Sequence, residues 1–174
     1  MISAPGMDKG RIVAFTGTHG TGKTTAVFRE AGRLCLEHPG LRVGVVLETA
    51  AQCPYPINLE TSELAQQWIF HAHIFRELDA LQHYDIIVSD RTCVDAIAYT
   101  WAMGFHALAL AMQPAAMQHI SRYQRIIFRQ AKNNDYWYKA PHREIQDAKY
   151  RAAVESGLEY FYDRLGAAER IEYA

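Results

Sequence analysis

The sequence contains few cysteines, and their positions exclude two classes of protein. Cys35, Cys53 and Cys93 lie far apart and form no C-x-x-C pair. Small disulfide-stabilised domains are rich in cysteines, and structural zinc sites use closely spaced pairs of them. We expect neither here, and isolated thiols of this kind are typical of a reducing cytoplasm.

Excess charge and a signal sequence are also lacking. The formal net charge is −1 over 174 residues, which argues against nucleic acid or a membrane surface as the main partner. Residues 1–10 lack the apolar core of a signal peptide, so we predict a flexible lead-in there. We therefore expect a cytoplasmic protein with no membrane partner, and we do not favour a nucleic-acid partner.

Charged side chains are missing from residues 96–121. A membrane span would need about 20 mainly apolar residues, and Gly104, Gln113 and Pro114 interrupt this run. We interpret it as two packed helices joined near Gly104. An uncharged surface of this size could also form a homodimer interface.

Histidine is more abundant, yet its pattern does not indicate a metal site. The chain has eight histidines and no H-E-x-x-H sequence. His71 and His73 are two positions apart, so on a helix their rings point in different directions. The only metal that we predict is Mg²⁺ bound together with a nucleotide.

A glycine-rich loop is the most informative stretch of the chain. Gly17, Gly22, Lys23 and Thr24 form the pattern G-x-x-x-x-G-K-T, the phosphate-binding loop. Glycine lets the main chain approach a phosphate at positive φ, and the N-terminus of the following helix attracts the same anion. An apolar segment over 11–15 predicts a strand before the loop, and residues 26–36 predict a helix after it.

This loop predicts ATP and Mg²⁺ as cofactors. Lys23 is expected to reach the β- and γ-phosphates and to be catalytic, and the Thr24 hydroxyl to bind Mg²⁺. The residues predicted to bind the nucleotide are Gly17, Thr18, His19, Gly20, Thr21, Gly22, Lys23, Thr24 and Thr25.

Apolar strands alternate with helices in the remainder of the chain. Further strands are predicted over 42–47, 84–89, 125–128 and 170–173, and helices over 62–82 and 144–165. This alternation favours right-handed crossovers and a parallel sheet covered on both faces. The fold class that we predict is α/β: a single P-loop NTPase domain over 1–174, three-layer α/β/α, with a mainly parallel five-stranded sheet and a short lid.

The third predicted strand delivers an acidic and a basic residue to the carboxyl edge of the sheet, where ligands bind in such folds. Asp90 suits a water-mediated contact to Mg²⁺, and the planar guanidinium of Arg91 suits a phosphate or a reacting oxygen. The alternative is that Asp90 caps the next helix while Arg91 forms a surface ion pair.

Residues 87–99 resemble the D-R-x…A-Y segment of thymidylate kinases. They are also similar to the E-R-S segment of deoxynucleoside kinases and to D-R segments in relatives of the ribosylnicotinamide kinase domain. Order and spacing match over residues 11–99. The resemblance implies a P-loop nucleoside or nucleotide kinase in which Asp90 assists Mg²⁺ and Arg91 holds the reacting group of the acceptor.

Glu48, after the second predicted strand, resembles the glutamate of the E-P segment in those kinases. The resemblance implies that Glu48 is the base for the acceptor hydroxyl, a role that needs a carboxylate within hydrogen-bond reach. The alternative is a loop carboxylate that caps the turn over 49–52. Thr49 replaces the proline of the segment, and Thr100 stands where thymidylate kinases carry a base-reading glutamine; both departures argue against thymine specificity.

The acceptor pocket is expected between the loop after the second strand and the helices after the second and third strands. The side chains that could stack on or hydrogen-bond a planar ring there, or else pack in the core, are Tyr55, Gln67, Trp68 and Tyr99.

A basic region over 122–151 carries eight lysines and arginines against three acidic residues. We predict a lid over 129–143 that supplies cations to the transferring phosphate. Arg143 is the first candidate and is predicted to be catalytic. Arg129, predicted to bind the nucleotide, and Lys139 follow it. The alternative is a solvated basic face.

Three functions are compatible with these residues. The first is a small-molecule kinase that transfers the γ-phosphoryl of ATP-Mg to a nucleoside, a nucleotide or a similar acceptor. The second is a P-loop ATPase that acts on a partner, which would have a similar fold. The third is a kinase of polynucleotide ends, whose binding would weaken steeply with salt.

Overall fold

The computed structural model describes residues 11–57, 60–130 and 148–174, and within these ranges the chain forms five strands and five α-helices. Two short 3-10 turns lie at Ala50–Gln52 and Ala168–Arg170. The elements follow in the order β1 (Ile12–Thr16), α1 (Lys23–Glu37), β2 (Val43–Val46), α2 (Glu63–His83), β3 (Ile86–Asp90), α3 (Cys93–Ala102), α4 (His106–Ile120), β4 (Tyr123–Phe128), α5 (Ala148–Arg164) and β5 (Ile171–Tyr173).

The strands form one sheet in the order β2-β3-β1-β4-β5, and all four pairings are parallel. The predicted α/β fold class and its five-stranded parallel sheet are therefore confirmed. Because parallel strands end at the same edge, the loops after β1, β2 and β3 converge there. Phe15 pairs with Asp90 in register, so β3 extends one residue beyond the predicted strand and Asp90 is its last residue.

Alternating side chains of the central strand serve two separate cores, as the pleat requires. Ile12 and Ala14 belong to the larger core with residues of α2, α3, α4 and α5. Val13 and Phe15 belong to a smaller core with Val27 of α1. The sheet is thus covered on both faces, with α1 on one and α2 to α5 on the other.

The uncharged stretch forms two helices, α3 and α4, as predicted. Gly104 lies between them at φ 86°, a conformation that favours glycine. Most of α3 is buried among α2, α4 and α5, which explains why its residues after Asp95 carry no charge. A homodimer interface would have to use the outer face of α4, where Leu110 and Met117 are exposed, and it remains a prediction. None of the helices in the described ranges could span a bilayer.

The α2 helix is found where it was predicted, but its buried face is unexpectedly polar. The Ser62 hydroxyl caps its start by accepting a hydrogen bond from the amide of Ala65. The large apolar side chains Leu64 and Phe75 are 54% and 68% exposed. The side chains that face the protein interior instead are Ala65, Gln66, Phe70, His73 and Glu77.

A buried carboxylate at the centre of this face has partners on three elements, a group that we call the Glu77 cluster (His73, Glu77, His119 and Tyr123). His119 Nε2 lies 2.6 Å from Glu77 Oε2, and the Tyr123 hydroxyl donates to the same oxygen at 2.9 Å. His73 Nε2 lies 3.2 Å from Oε1, an ion-pair distance without hydrogen-bond alignment. Burial opposes the charge on Glu77, but these imidazoles outweigh it, so its pKa lies below the usual range.

Glu77→Gln is expected to change how stability depends on pH. A folded-state pKa below the ordinary value means that Glu77 stabilises the fold above about pH 4.5, and that this contribution is lost as the pH falls further. The loss should approach about 1.4 kcal/mol per pH unit. Denaturant unfolding between pH 5 and 3 should show this slope in the wild type and a shallower one in Glu77→Gln. Glu63→Gln, on the exposed start of α2, is the matched control and should keep the wild-type slope.

Candidate functional site

The phosphate-binding loop joins β1 to α1 and adopts a backbone that requires glycine. Gly17, Gly20 and Gly22 have φ values of 129°, 81° and 73°. A Cβ on Gly17 would lie 2.3 Å from the carbonyl oxygen of Arg129, so no larger residue fits there. Among the described residues, no side chain caps the start of α1, and its first-turn amides therefore remain available to an anion.

Lys23 is the first residue of α1, and its side chain folds back over the loop. Its ammonium donates to the carbonyl oxygen of Thr18 at 2.5 Å and to the hydroxyl of Thr21 at 3.3 Å. Burial, followed by the nearby charge of Arg91, lowers the pKa of Lys23 to about 7. A polyphosphate beside the ammonium would favour its protonated form, since an opposite charge stabilises it.

Thr24 and Asp90 meet across the sheet edge. The Thr24 hydroxyl donates to Asp90 Oδ2 at 2.5 Å, and Asp90 is only 2% exposed. A hydroxyl and a carboxylate supply the hard oxygen ligands that Mg²⁺ prefers, with room left for phosphate oxygens and water. These two residues therefore fit the predicted metal site, although no group of three or more His, Cys, Asp or Glu side chains in the described ranges forms a protein-only metal cage.

Arg91 joins the phosphate loop to the acidic residues around it. Its Nε donates to Glu48 Oε1 at 2.8 Å, and its Nη1 donates to Asp95 Oδ1 at 3.1 Å and to the carbonyl oxygen of Gly17 at 3.3 Å. Its guanidinium carbon also lies 4.9 Å from the centre of the Tyr99 ring. Burial alone would lower the pKa of Arg91, but these acidic neighbours raise it above its usual value, so the side chain stays cationic.

The backbone of Arg91 is strained. Its φ of 88° is the only positive value among the described non-glycine residues. Such strain persists where surrounding contacts hold it, and it is concentrated at functional sites. The alternative prediction, in which Arg91 forms a surface ion pair, is wrong, because its side chain is 11% exposed and contacts three elements.

Asp95 is a site residue that the sequence interpretation missed. Its Oδ2 accepts hydrogen bonds from the hydroxyl of Thr16 at 2.8 Å and from both the amide and the hydroxyl of Thr92 at 2.9 Å. With Thr92 it forms a capping box at the start of α3. The T-x-x-D spacing could have indicated the cap. It could not have shown that the second oxygen of Asp95 holds Arg91.

A cavity opens beside Arg91, between the loop after β2 and helices α2, α3 and α5. Its volume is about 110 Å³. Its charged lining residues include Glu48, Arg91 and Asp95, and its larger apolar and aromatic lining residues include Ile69, Met103, Tyr99 and Tyr150.

The predicted residues are distributed unevenly around this cavity. Tyr99 and His19 line it, whereas Tyr55, Gln67 and Trp68 are not among the described lining residues. Gln66 takes the place expected for Gln67, because the helix phase is shifted by one residue relative to the prediction. Of the other loop residues, Thr18 and Thr21 are buried and Thr25 is exposed.

Part of the predicted lid lies at the phosphate loop. Arg129 directs Nε and Nη2 towards the carbonyl oxygen of Thr21, each at 3.3 Å. Arg143, Lys139 and the rest of the lid beyond residue 130 lie outside the described residues, as does the predicted lead-in over 1–10.

No protein-family model matches this chain, and no curated protein matches it in sequence. Solved structures do match its fold. A thymidylate kinase from Ehrlichia chaffeensis is similar with a TM-score of 0.67 and 14% identity, over 95% of this chain and 88% of that one. The NadR protein in complex with NR is similar with a TM-score of 0.71 and 16% identity. That match covers 94% of this chain and 45% of NadR.

A deoxyadenosine kinase from M. mycoides, solved with the products dCMP and dCDP, is similar with a TM-score of 0.62 and 14% identity. The match covers 94% of this chain and 89% of that one. The chain thus has the α/β fold of P-loop nucleotide kinases, and the structural part of the resemblance is confirmed. At such low identity the likeness concerns the fold, and the chemistry has to be argued from the site itself.

Proposed function

We propose that this protein is a small-molecule kinase that transfers the γ-phosphoryl of ATP to the hydroxyl of a nucleoside or a similar acceptor. The observation that carries the proposal is the position of Arg91, which bridges the phosphate loop at Gly17 and the cavity acid Glu48. One cation thereby adjoins both the donor phosphates and the expected acceptor. The solved structures of similar fold, all named for kinases or for NadR, support this reading.

The donor side would hold ATP through the loop amides and Lys23. Phosphoryl transfer passes through a loose transition state whose charge is spread over phosphate oxygens, so positioned cations and amides supply most of the catalysis. Thr24 and Asp90 would hold Mg²⁺, which when bound neutralises charge on the β- and γ-phosphates. Arg129, which donates to the carbonyl oxygen of Thr21, would also contact the nucleotide. Arg143 remains a proposed lid residue.

The acceptor would enter the cavity with its hydroxyl towards Glu48. Arg91 holds the carboxylate of Glu48 in place, and a carboxylate so placed can accept the proton of an attacking hydroxyl. Glu48 and Asp95 both line the cavity beside Arg91. A phosphate next to these two carboxylates would be repelled, so we favour an uncharged acceptor over a monophosphate.

The proposal is tested by measuring ATP consumption and product mass against ribonucleosides, deoxyribonucleosides, their monophosphates and short oligonucleotides. We expect one nucleoside to stimulate ATP use and to yield the matching monophosphate. Hydrolysis that no acceptor changes would instead indicate an ATPase acting on a partner, and labelling of oligonucleotide ends would indicate a polynucleotide kinase. As part of the same proposal, we place the protein in the cytoplasm, where ATP is supplied.

Removing the Arg91 side chain should reduce transfer and reveal the backbone strain. Arg91→Ala and Arg91→Gly should each lower the transfer rate on the order of a hundredfold, because the same positive charge is lost. Arg91→Gly should be the more stable of the two by about 1 kcal/mol, since glycine adopts positive φ without cost. Steady-state kinetics and denaturant unfolding check the two expectations. Near-normal turnover in either variant would exclude Arg91 from the site, and Arg42→Ala, at an exposed ion pair, is the control.

A further inference from the structure

The cavity has a second polar wall, which the proposed reaction does not use. Thr49 and His73 both line the cavity, and both are nearly inaccessible, at 2% and 3% exposure. Thr49 Oγ1 lies 3.2 Å from His73 Nδ1. The other ring nitrogen of His73 faces Glu77 at 3.2 Å, so a hydroxyl, an imidazole and a carboxylate follow one another from the cavity wall into the core.

We propose that Thr49 is a specificity-determining contact for the acceptor, and that His73 and Glu77 are positioning residues that fix the direction of its hydroxyl hydrogen. The inference rests on the proposed function, because that function identifies the ligand of the cavity as the phosphoryl acceptor. It concerns lining residues other than Glu48 and Arg91.

Glu77 determines which nitrogen of His73 carries a proton. The carboxylate already accepts hydrogen bonds from His119 and Tyr123 on Oε2, which is the environment of an ionised group. The nitrogen that faces such a carboxylate keeps its proton, so Nε2 of His73 is protonated in both charge states of the ring. The two charge states of His73 therefore differ only in whether Nδ1, the nitrogen that faces Thr49, carries a proton.

The charge of His73 follows from the groups around it. Burial lowers its pKa, but Glu77 on the same helix and Asp95 on α3 raise it, against a smaller opposite effect of Arg91, and the net pKa lies above its usual value. Around Glu77 the further titratable groups are His119 of α4, Tyr123 of β4 and Cys93 of α3. The raised pKa favours the cationic form of His73.

A cationic His73 makes Thr49 a donor towards the cavity. Nδ1–H then donates to the Thr49 oxygen, and the hydroxyl has to direct its own hydrogen elsewhere. Within the described ranges His73 is the hydrogen-bond partner of that hydroxyl, and Thr49 also lines the cavity, which can supply the second partner. The ligand atom that this arrangement recognises is an uncharged acceptor, such as a carbonyl oxygen, a ring nitrogen or a sugar oxygen. Loss of the His73 proton would reverse the hydrogen bond and remove this donor.

The experiment measures nucleoside binding directly, without ATP or turnover. Each of the four ribonucleosides and four deoxyribonucleosides is titrated into the full chain labelled with ¹⁵N-histidine. We expect at least one of these probes to bind and to shift the Nδ1 resonance of His73. Thr49→Val, which keeps the shape but removes the hydroxyl, should raise the Kd of that probe about tenfold and abolish the shift. ATP affinity should stay at the wild-type value, and the unfolding midpoint should fall modestly, because His73 Nδ1 loses a buried hydrogen-bond partner.

A pH series separates positioning from a merely structural role. The Kd of the wild type should rise as the pH passes above the pKa of His73 read from the same spectra. His73→Asn keeps a donor near Thr49 but does not titrate, so its Kd should be independent of pH over that interval. His71→Asn, on the exposed side of the same helix, is the matched control and should keep the wild-type profile.

Several results would overturn the inference. These are a Kd of Thr49→Val within twofold of the wild type, binding that strengthens as pH rises, or no binding by any of the eight nucleosides. If His73→Asn does not fold, the Thr49→Val titration and the wild-type pH series still decide the matter. The proposed function fails separately, when a bound nucleoside gives no phosphorylated product.

Discussion

Lys23→Ala is expected to abolish measurable phosphoryl transfer while the fold is retained. Loss of one preorganised donor to a developing negative charge costs about 10²–10³ in rate, and Lys23 contributes a full charge in a buried site. The fold should survive, because the ammonium contacts only groups of its own loop in the described structure. The same acceptor assay used for the wild type, with circular dichroism for the fold, checks both statements.

The control for this variant lies on the same helix. Arg33→Ala removes an exposed cation that pairs with Glu30 and Glu37, about three helical turns from Lys23, and should leave the rate unchanged. ATP binding should weaken in Lys23→Ala and not in Arg33→Ala. If Lys23→Ala retained most of the wild-type rate, the phosphate-binding role of the loop would be refuted, and the kinase proposal with it.

Glu48→Gln is expected to lower kcat by about 10²–10⁴, the usual contribution of a general base. The amide keeps the size of the carboxylate and can still accept a hydrogen bond from Arg91, but it cannot take the proton of the acceptor hydroxyl. KM for ATP should change little, since Glu48 lines the cavity expected to hold the acceptor and the substitution keeps its hydrogen bond with Arg91. Acceptor-dependent steady-state kinetics separate these parameters.

The alternative for Glu48, a cap of the turn after β2, gives the opposite result. A capping residue would lower the free energy of unfolding by about 1 kcal/mol when replaced, with kcat unchanged. Unfolding and kinetics on the same preparation therefore distinguish base from cap. Glu63→Gln, an exposed glutamate at the start of α2, should change neither quantity.

Local sequence patterns located most of the elements. The strand and helix around the phosphate loop, the break near Gly104 and the helix predicted over 62–82 depend on residues that are close in the chain. The alternation of strands with helices along the chain was sufficient to indicate a parallel sheet. In such a sheet the carboxyl ends of β1, β2 and β3 lie at the same edge. The order of strands could not be predicted, because it depends on which crossovers pack together.

The buried face of α2 shows why contacts between distant parts of the chain could not be predicted from the sequence. Apolar periodicity indicated a helix, but the buried positions carry Gln66, His73 and Glu77 while Phe75 is exposed. A buried polar residue is tolerable only when its partners are in place, and those partners, such as His119 and Tyr123, are more than forty residues away in sequence. No window of sequence contains that information.

The sequence by itself determined the chemistry of the anion-binding loop, since glycines at fixed spacing, a lysine and a hydroxyl at a helix start act locally. Tertiary structure alone decided what Arg91 does. Only the packing of β3 between β1 and β2 brings its guanidinium against Gly17, Glu48 and Asp95 at once. The same packing made a cavity wall from Thr49 and His73, because side-chain contacts between distant segments form only when the sheet and its helices have assembled.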